Sequence, residues 1–291
     1  MKKLIVGVAA VVVLALTTVV AYAGNGTPLN GNSANALTLA VYGDAPYGTS
    51  NSDTAEFDAT PAFIDAINHD PKVDLVAHVG DIHSGSQRCT QPYDQSIYDL
   101  WTQFKDPLVY TPGDNEWVDC PEGTAGRLEA IRQVFFAQPM SLGTQPIPQR
   151  RQADAPENAR WEWGGVVFGT LNVPGPGGGG PTVRPDLAWL DNTFDRAEAI
   201  KAPAVMIIWQ DDPIDGSSPE LVARLRKRAG AFHKPVMLVH GDTHHYALDN
   251  PWRDTPNLTR LETFPTFTPE WVKVAVDPAS PAVFTVARMR A

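Results

Sequence analysis

Basic residues are in deficit in this 291-residue chain: 23 Lys and Arg stand against 33 Asp and Glu, a formal net charge of -10. With no basic stripe, a general nucleic-acid binder is excluded, because such proteins neutralise phosphates with clustered Lys and Arg. A phosphorylated substrate is not excluded, since metal ions supply positive charge locally. Beyond residue 23 no apolar run is long enough to cross a bilayer. A Gly-x-Ser-x-Gly elbow is missing, which argues against acyl transfer. Internal repeats and domain-splitting linkers are missing too. The 43% hydrophobic composition therefore suits one domain over residues 36–291 with a single large core. Cysteine is scarce: Cys89 and Cys120 are the whole complement. Each follows a Gly-Asp turn, so a bridge would staple two loops over one sheet edge; a pair of free thiols is the alternative.

What is present begins with an export signal. Lys2 and Lys3 precede a small, apolar run from Leu4 to Val20, and Ala21-Tyr22-Ala23 offers a cleavage site after Ala23. An uncleaved anchor is the competing reading. Cleavage makes the mature chain periplasmic or secreted, without membrane contact. Residues 24–35, rich in Gly, Asn, Pro and Ser, form a loose leader.

Strands buried on both faces are predicted at residues 36–42, 73–79, 107–111, 204–209 and 235–239, where apolar residues run without clean alternation. Helical spacing marks residues 54–69, interrupted by Pro61, then the Ile97–Phe104 region, 126–136, a segment beginning at Pro185, and 219–232. Residues 137–160 have no clear period and read as an insertion around the site or a flap. Residues 161–173 read as a hairpin turning at Gly164-Gly165, and 174–181 as a flexible Gly/Pro loop. Three tail segments, at 258–264, 271–276 and 283–288, would close a second sheet.

Four of the apolar runs stop at Gly-Asp: Asp44, Asp81, Asp114 and Asp242. In an open α/β sheet the carboxyl ends of the strands share one edge, where ligands bind. Clustered carboxylates repel one another, so a cation is their natural occupant. His244 follows Asp242 by two residues, a workable spacing for two ligands. A paired-metal site clamps an in-line displacement and deprotonates water at neutral pH. One Gly-Asp is only a turn, and the bland reading of all four is turn formers or caps that never meet.

The ordered segments GDAPY, HVGDIHSG, TPGDNEW, IWQDDP and HGDTHH resemble the calcineurin-like metallophosphoesterase superfamily over about residues 37–246. The resemblance implies an α/β fold, a four-layer α/β/β/α sandwich of two mixed β-sheets flanked by helices. It also implies two divalent metal ions at the strand ends. Asp44 matches the first aspartate, with Pro46 in place of a ligand histidine, and Asp81 matches the bridging aspartate. Asp114 stands for a ligand asparagine, and Asn115 for the histidine that protonates the leaving group. Gln210 or Asp211 occupies the region of a lone histidine, Asp242 replaces another, and His244 matches the last.

The implied metal ligands are thus Asp44, Asp81, Asp114, Gln210, Asp242 and His244. So oxygen-rich a set favours Mn²⁺, Mg²⁺ or Ca²⁺ over zinc or iron. Asn115 donates a hydrogen bond to a phosphoryl oxygen but cannot give up a proton, which leaves His83 as the local candidate for that task. His78, Glu116 and His240 are expected to brace the site. The expected function is an exported, metal-dependent phosphoesterase acting on a mono- or diester of a small molecule or polymer through a metal-activated water. The alternative is a non-catalytic metal-binding or interaction protein on the same fold, favoured by Pro46, Asn115 and Asp242.

Overall fold

In the computed structural model, residues 21–22, 35–175, 183–216, 218–264 and 270–291 are described. Most of the export signal and leader, and most of the 174–181 loop, lie outside them. Ala21–Tyr22 (β1) pairs in parallel with Thr285 and Val286.

The first sheet is built on three parallel strands, Leu37–Tyr42 (β2), Leu75–His78 (β3) and Leu108–Tyr110 (β4). Helices Ala55–Asn68 (α1), Gln91–Trp101 (α2) and Arg127–Phe135 (α3) cover its outer face. In the second sheet a hairpin of Ala159–Trp163 (β6) and Val166–Thr170 (β7) is followed by Val205–Ile208 (β8) and Val236–His240 (β9), parallel to β7. Gly164 and Gly165, with φ of 56° and 84°, make the hairpin turn, whose left-handed backbone only glycine adopts without cost. Helices Val183–Ala199 (α4) and Pro219–Phe232 (α5) cover this sheet.

Both faces of the central strands are buried, which is why they read as continuous apolar runs. Leu39, Val41, Leu75 and Ala77 meet Phe168, Met206, Ile208 and Val239 between the sheets. Ala40, Tyr42 and Val76 turn the other way onto Ile64, Ile97 and Trp101. Val205, Ile207 and Leu238 do the same onto Leu190, Phe194, Leu221 and Leu225. The three cores separate four layers, α/β/β/α, as expected. Among the described residues no helix is long and apolar enough to cross a membrane.

Two expectations fail. Pro61 does not interrupt α1: the helix runs through it, because its ring faces solvent while Phe63, Ile64 and Ile67 hold the buried face. The tail does not close one sheet but divides. Leu258–Glu262 (β11) extends the second sheet beside β9, with Ala247–Asp249 (β10) outside it. Glu270–Val276 (β12) and Phe284–Arg290 (β13) return to the first sheet, β12 antiparallel to β2. Val272, Val274 and Val276 supply the apolar face that sheet needs against its partner. The orders become β1-β13-β12-β2-β3-β4 and β10-β11-β9-β8-β7-β6-β5, with Arg150–Arg151 (β5) at the edge. The 137–160 segment is pinned by bridges Leu108↔Leu142 and Met140↔Pro148. Within it Arg151 donates to the carbonyls of Pro156 and Met140.

Cys89 and Cys120 form a disulfide with Cα atoms 5.5 Å apart, joining the loops after β3 and β4. In the chain-entropy account, closing a loop of 31 residues stabilises the fold by roughly 3–4 kcal/mol.

Candidate active site

Parallel strands deliver their next residues to one edge. Asp44 follows β2, Asp81 follows β3, Asp114 follows β4, Gln210 follows β8 and Asp242 follows β9. Hydrogen-bonded rungs continue past the strands and fix the turns. Asp44 N donates to Gly80 O at 2.9 Å, Ala45 N to Asp81 O at 2.9 Å, and Gly241 N to Gln210 O at 3.2 Å. Asp44, Asp81, Asp242 and His244 have φ of 51°, 59°, 86° and 62°. Left-handed backbone at non-glycine residues costs about 1–3 kcal/mol each and gathers at functional sites.

The two sheets meet through these side chains. Asp242 N donates to Asp44 Oδ1 at 3.1 Å, and Gln210 Nε2 reaches both Asp81 Oδ2 and Asp242 Oδ1 at 3.3 Å. Asp81 Oδ2 also accepts from Asn115 Nδ2 at 2.9 Å and from the Tyr47 hydroxyl at 2.8 Å. Asp242 Oδ2 accepts from Asp212 N at 2.9 Å, and His244 Nε2 lies 3.7 Å from Asp44 Oδ1. A methyl group at Gly113 would sit 1.9 Å from Asp81 Oδ1, so glycine is what lets that carboxylate lie flat on the turn. The four aspartates thus converge, which the reading of four separate turn formers did not require.

Burial and crowding set the electrostatics. Asp81 is pushed well above the carboxylate range by burial and then by Asp114, and Asp44 by burial, with the Asp242 charge adding to the rise. Asp114 is pushed up to about 7 by burial and by Asp242, and Asp242 is raised chiefly by burial. The Tyr47 hydroxyl is driven far up by burial and by Asp81, so it stays a donor.

The bracing residues sit behind this network. Glu116 is buried and accepts from Ile82 N at 3.2 Å and Tyr110 Oη at 2.7 Å, holding the GDNEW turn. His78 receives Gly80 N on Nδ1 at 3.2 Å, so its Nε2 donates to Ala45 O at 2.8 Å beneath Asp44. His240 Nδ1 donates to Gly241 O at 2.8 Å. Asn172 is drawn away from the acids by Glu157, which accepts from its Nδ2 at 3.2 Å. Trp117 and Trp161 are core residues, and Trp163 packs on the core between the sheets.

His83 is not brought into the network. It is fully buried, its Nδ1 bonds Ser84 O at 3.1 Å, and its ring stands edge-on to Tyr93. Burial lowers its pKa to about 4, and its ring lies against Ser84 and Tyr93. Sequence reasoning missed Tyr47 and the Asp212 backbone. The signal for Tyr47 lay in GDAPY itself, where the residue after Pro46 carries the nearest hydroxyl.

Burial likewise depresses His78 from 6.5 to about 4. As the pH falls from 6.5 to 4 the unfolded chain takes up this proton and the folded chain does not. The stability gained by keeping the ring neutral is therefore complete above 6.5 and lost towards 4, by up to about 1.4 kcal/mol per pH unit. A His78→Gln variant is expected to lose that slope, measured as the difference between the urea-unfolding free energies of the two proteins across this range.

Among the described residues no group of three or more His, Cys, Asp and Glu side chains is arranged to enclose a metal ion. Gln210 lies between Asp81 and Asp242, and Tyr47 and Asn115 donate to Asp81 Oδ2. The donor atoms brought together are nevertheless oxygens, the kind a hard divalent ion takes. Gln210 Oε1 is buried without a partner, and Gly175 leaves open the space where a methyl group would stand 2.5 Å from Asp114 Oδ2 and 3.7 Å from Asp242 Oδ1. On the Asp44 side Pro46 brings no ligand side chain.

Residues 37–246 match the model of the calcineurin-like phosphoesterase family. The chain belongs to that family. Its two-sheet architecture is the family's sandwich, and members of the family usually hold two divalent metals. Among solved structures, a 5'-nucleotidase from Candida albicans SC5314 is similar at 12% identity and TM-score 0.47, over 87% of this chain and 52% of that one. The chain thus spans about half the length of that nucleotidase. A carbon-nitrogen hydrolase from Helicobacter pylori G27 is similar at 10% identity and TM-score 0.35, over 88% and 86% of the two chains. Comparison with curated proteins gives no match.

Proposed function

We propose that this chain is an exported phosphoesterase that hydrolyses a phosphorylated small molecule at the Asp81 cluster with the help of a hard divalent ion. The observation that carries the reading is the convergence of Asp44, Asp81, Asp114 and Asp242 from two sheets, three of them (Asp44, Asp81 and Asp242) in left-handed backbone. Asp81, Asp114, Asp242 and Gln210 would hold the ion. When bound, it supplies Lewis acidity that offsets phosphoryl charge and activates water. Asn115, whose amide hydrogens go to Asp81 Oδ2 and the Tyr47 hydroxyl, would steady an equatorial phosphoryl oxygen by exchanging one of these bonds. His83 is bonded to Ser84 O and His244 Nε2 faces Asp44, so esters whose leaving groups depart as anions, such as aryl phosphates, are the favoured substrates.

Adding Mn²⁺, Mg²⁺ or Ca²⁺ to chelated protein is expected to raise cleavage of an aryl phosphate monoester or diester. No cleavage with any of these ions would sink the enzyme reading. A second reading, a non-catalytic metal-binding member of the family, is favoured by the hydrogen bonds that satisfy Asp81 without an ion. Metal retained without turnover across a broad phosphatase panel supports it.

A further inference from the structure

The chain as a whole is acidic, with a formal net charge of -10, yet one cleft in it is basic. It lies between α4 and the β5–β6 edge of the second sheet and has a volume of about 590 Å³. Arg150, Arg160 and Arg196 line it, with Glu162 as the lone carboxylate of the wall. Arg196 takes that carboxylate by two bonds, at 2.6 and 3.1 Å. Arg150 and Arg160 form no ion pair among the described residues. Arg151 also borders the cleft but is turned onto Phe136 and the carbonyls of Pro156 and Met140. Three outward guanidiniums against one carboxylate leave a surplus of two positive charges. We propose that this cleft binds the phosphoryl group of a small molecule, gripped by Arg150 and Arg160. β7 stands between β6 and β8, the strand that leads to Gln210, so the cleft is separate from the Asp81 cluster. Binding here requires neither a metal ion nor turnover.

Strand register makes the cleft basic. Arg150 stands directly opposite Arg160 on antiparallel strands, which puts both side chains on one face. Like charges in that position destabilise a sheet. Arg160 is held below the usual guanidinium range by burial and then by Arg196, with Glu162 opposing the fall and Arg150 adding to it. An anion between the two arginines turns that repulsion into attraction. Arg160 is also fixed in advance. Its Nη1 donates to Asn192 O at 2.9 Å and to Asn192 Oδ1, and its Cζ lies 5.5 Å from the centre of the Trp189 ring. Its Nε and Nη2, the pair that holds an oxyanion side-on, have no partner among the described residues. A phosphoryl group carries close to two negative charges at neutral pH, which matches the surplus better than a single carboxylate does. The cleft is larger than a bare phosphate needs, which leaves room for the molecule that carries it.

The test is calorimetric titration of the full chain with glucose 6-phosphate and with inorganic phosphate, at constant ionic strength. A chelator is present, which keeps metal at the Asp81 cluster from contributing. Wild type is expected to bind the sugar phosphate saturably. Arg150→Gln and Arg160→Gln are each expected to weaken it by about tenfold or more, since each removes a charge-assisted hydrogen bond. Arg253→Gln removes the same charge from an exposed position after β10, at the opposite edge of the sheet, and is expected to leave binding within about twofold. Thermal unfolding gives a second readout. Without ligand, Arg150→Gln is expected to melt at or above wild type, because the like-charged pair is gone. With ligand, the wild-type midpoint is expected to rise more than the variant's. Tighter binding of glucose 6-phosphate assigns the cleft to an ester, and tighter binding of inorganic phosphate restricts the inference to the free ion. No saturable binding of either overturns it. So does binding that Arg150→Gln and Arg160→Gln leave unchanged, or that all three variants weaken alike.

Discussion

Asp81→Asn is expected to lower phosphoesterase turnover by about 10²–10³-fold or more, the scale seen when one preorganised charged or hydrogen-bonding group is removed from a site. Asp81 takes hydrogen bonds from residues delivered by both sheets, from Tyr47 and Asn115 on one side and Gln210 on the other. Asparagine keeps the shape and removes the charge. It also turns an amide donor towards groups that are themselves donors. The fold is expected to survive, because the turn is held by the Gly80 and Asp81 carbonyls, which accept from Asp44 N and Ala45 N, and neither needs the side chain. Asp99→Asn, an exposed change on α2, serves as the control with unchanged turnover. Steady-state kinetics on aryl mono- and diesters with each cation reads the effect. Equal rates for wild type and Asp81→Asn would remove Asp81 from the chemistry.

The largest loss of stability is expected from Arg127→Ala. Arg127 donates to both oxygens of Asp94, at 3.1 and 2.9 Å, and its Nε donates to Glu116 O at 3.2 Å. One guanidinium thereby joins α3, α2 and the turn that carries Asp114. Asp94 is fully buried, and burial already lifts its pKa to about 6 against the pull of Arg127. Removing the partner strands a buried carboxylate, at a cost of roughly 3–5 kcal/mol. In a domain of this size that lowers the melting temperature by about 10 °C. The double variant Arg127→Met, Asp94→Leu, which removes both charges and keeps the volume, is expected to recover most of the loss. Thermal unfolding of the three proteins distinguishes a charge effect from a packing effect, since a purely steric role for Arg127 leaves the double variant as unstable as the single one.

Much of this architecture was legible in the sequence because burial on both faces forces continuous apolar runs, and the Gly-Asp pairs punctuate their ends. The helices declared themselves by spacing, and 219–232 was read with the bounds observed for α5. Pro61 misled because a local breaker rule ignores which face of the helix the ring occupies. The destination of β12 and β13 was hidden for a different reason: an alternating strand states which face is apolar and not which sheet it will join. At the site, the acids were visible as residue types, and their meeting depended on fold analogy. Tyr47 stood in GDAPY, but its role depends on how far a phenol reaches across a turn, a property of three dimensions with no period. His83 looked suitable by its distance in sequence from Asp81, and the backbone after that turn carries its ring to Tyr93 instead.

The pairing of β2 with β12, Leu37 against Val276, sets the timetable of assembly. The strand that leads to Asp44 acquires its neighbour on one side only once β12 has been made. So remote a contact carries a large loop-closure penalty and slows folding. A ribosome-bound fragment ending before residue 270 would leave the β2 edge bare, however complete its set of acids. The candidate site thus depends on a strand far along the chain that lends it no functional side chain.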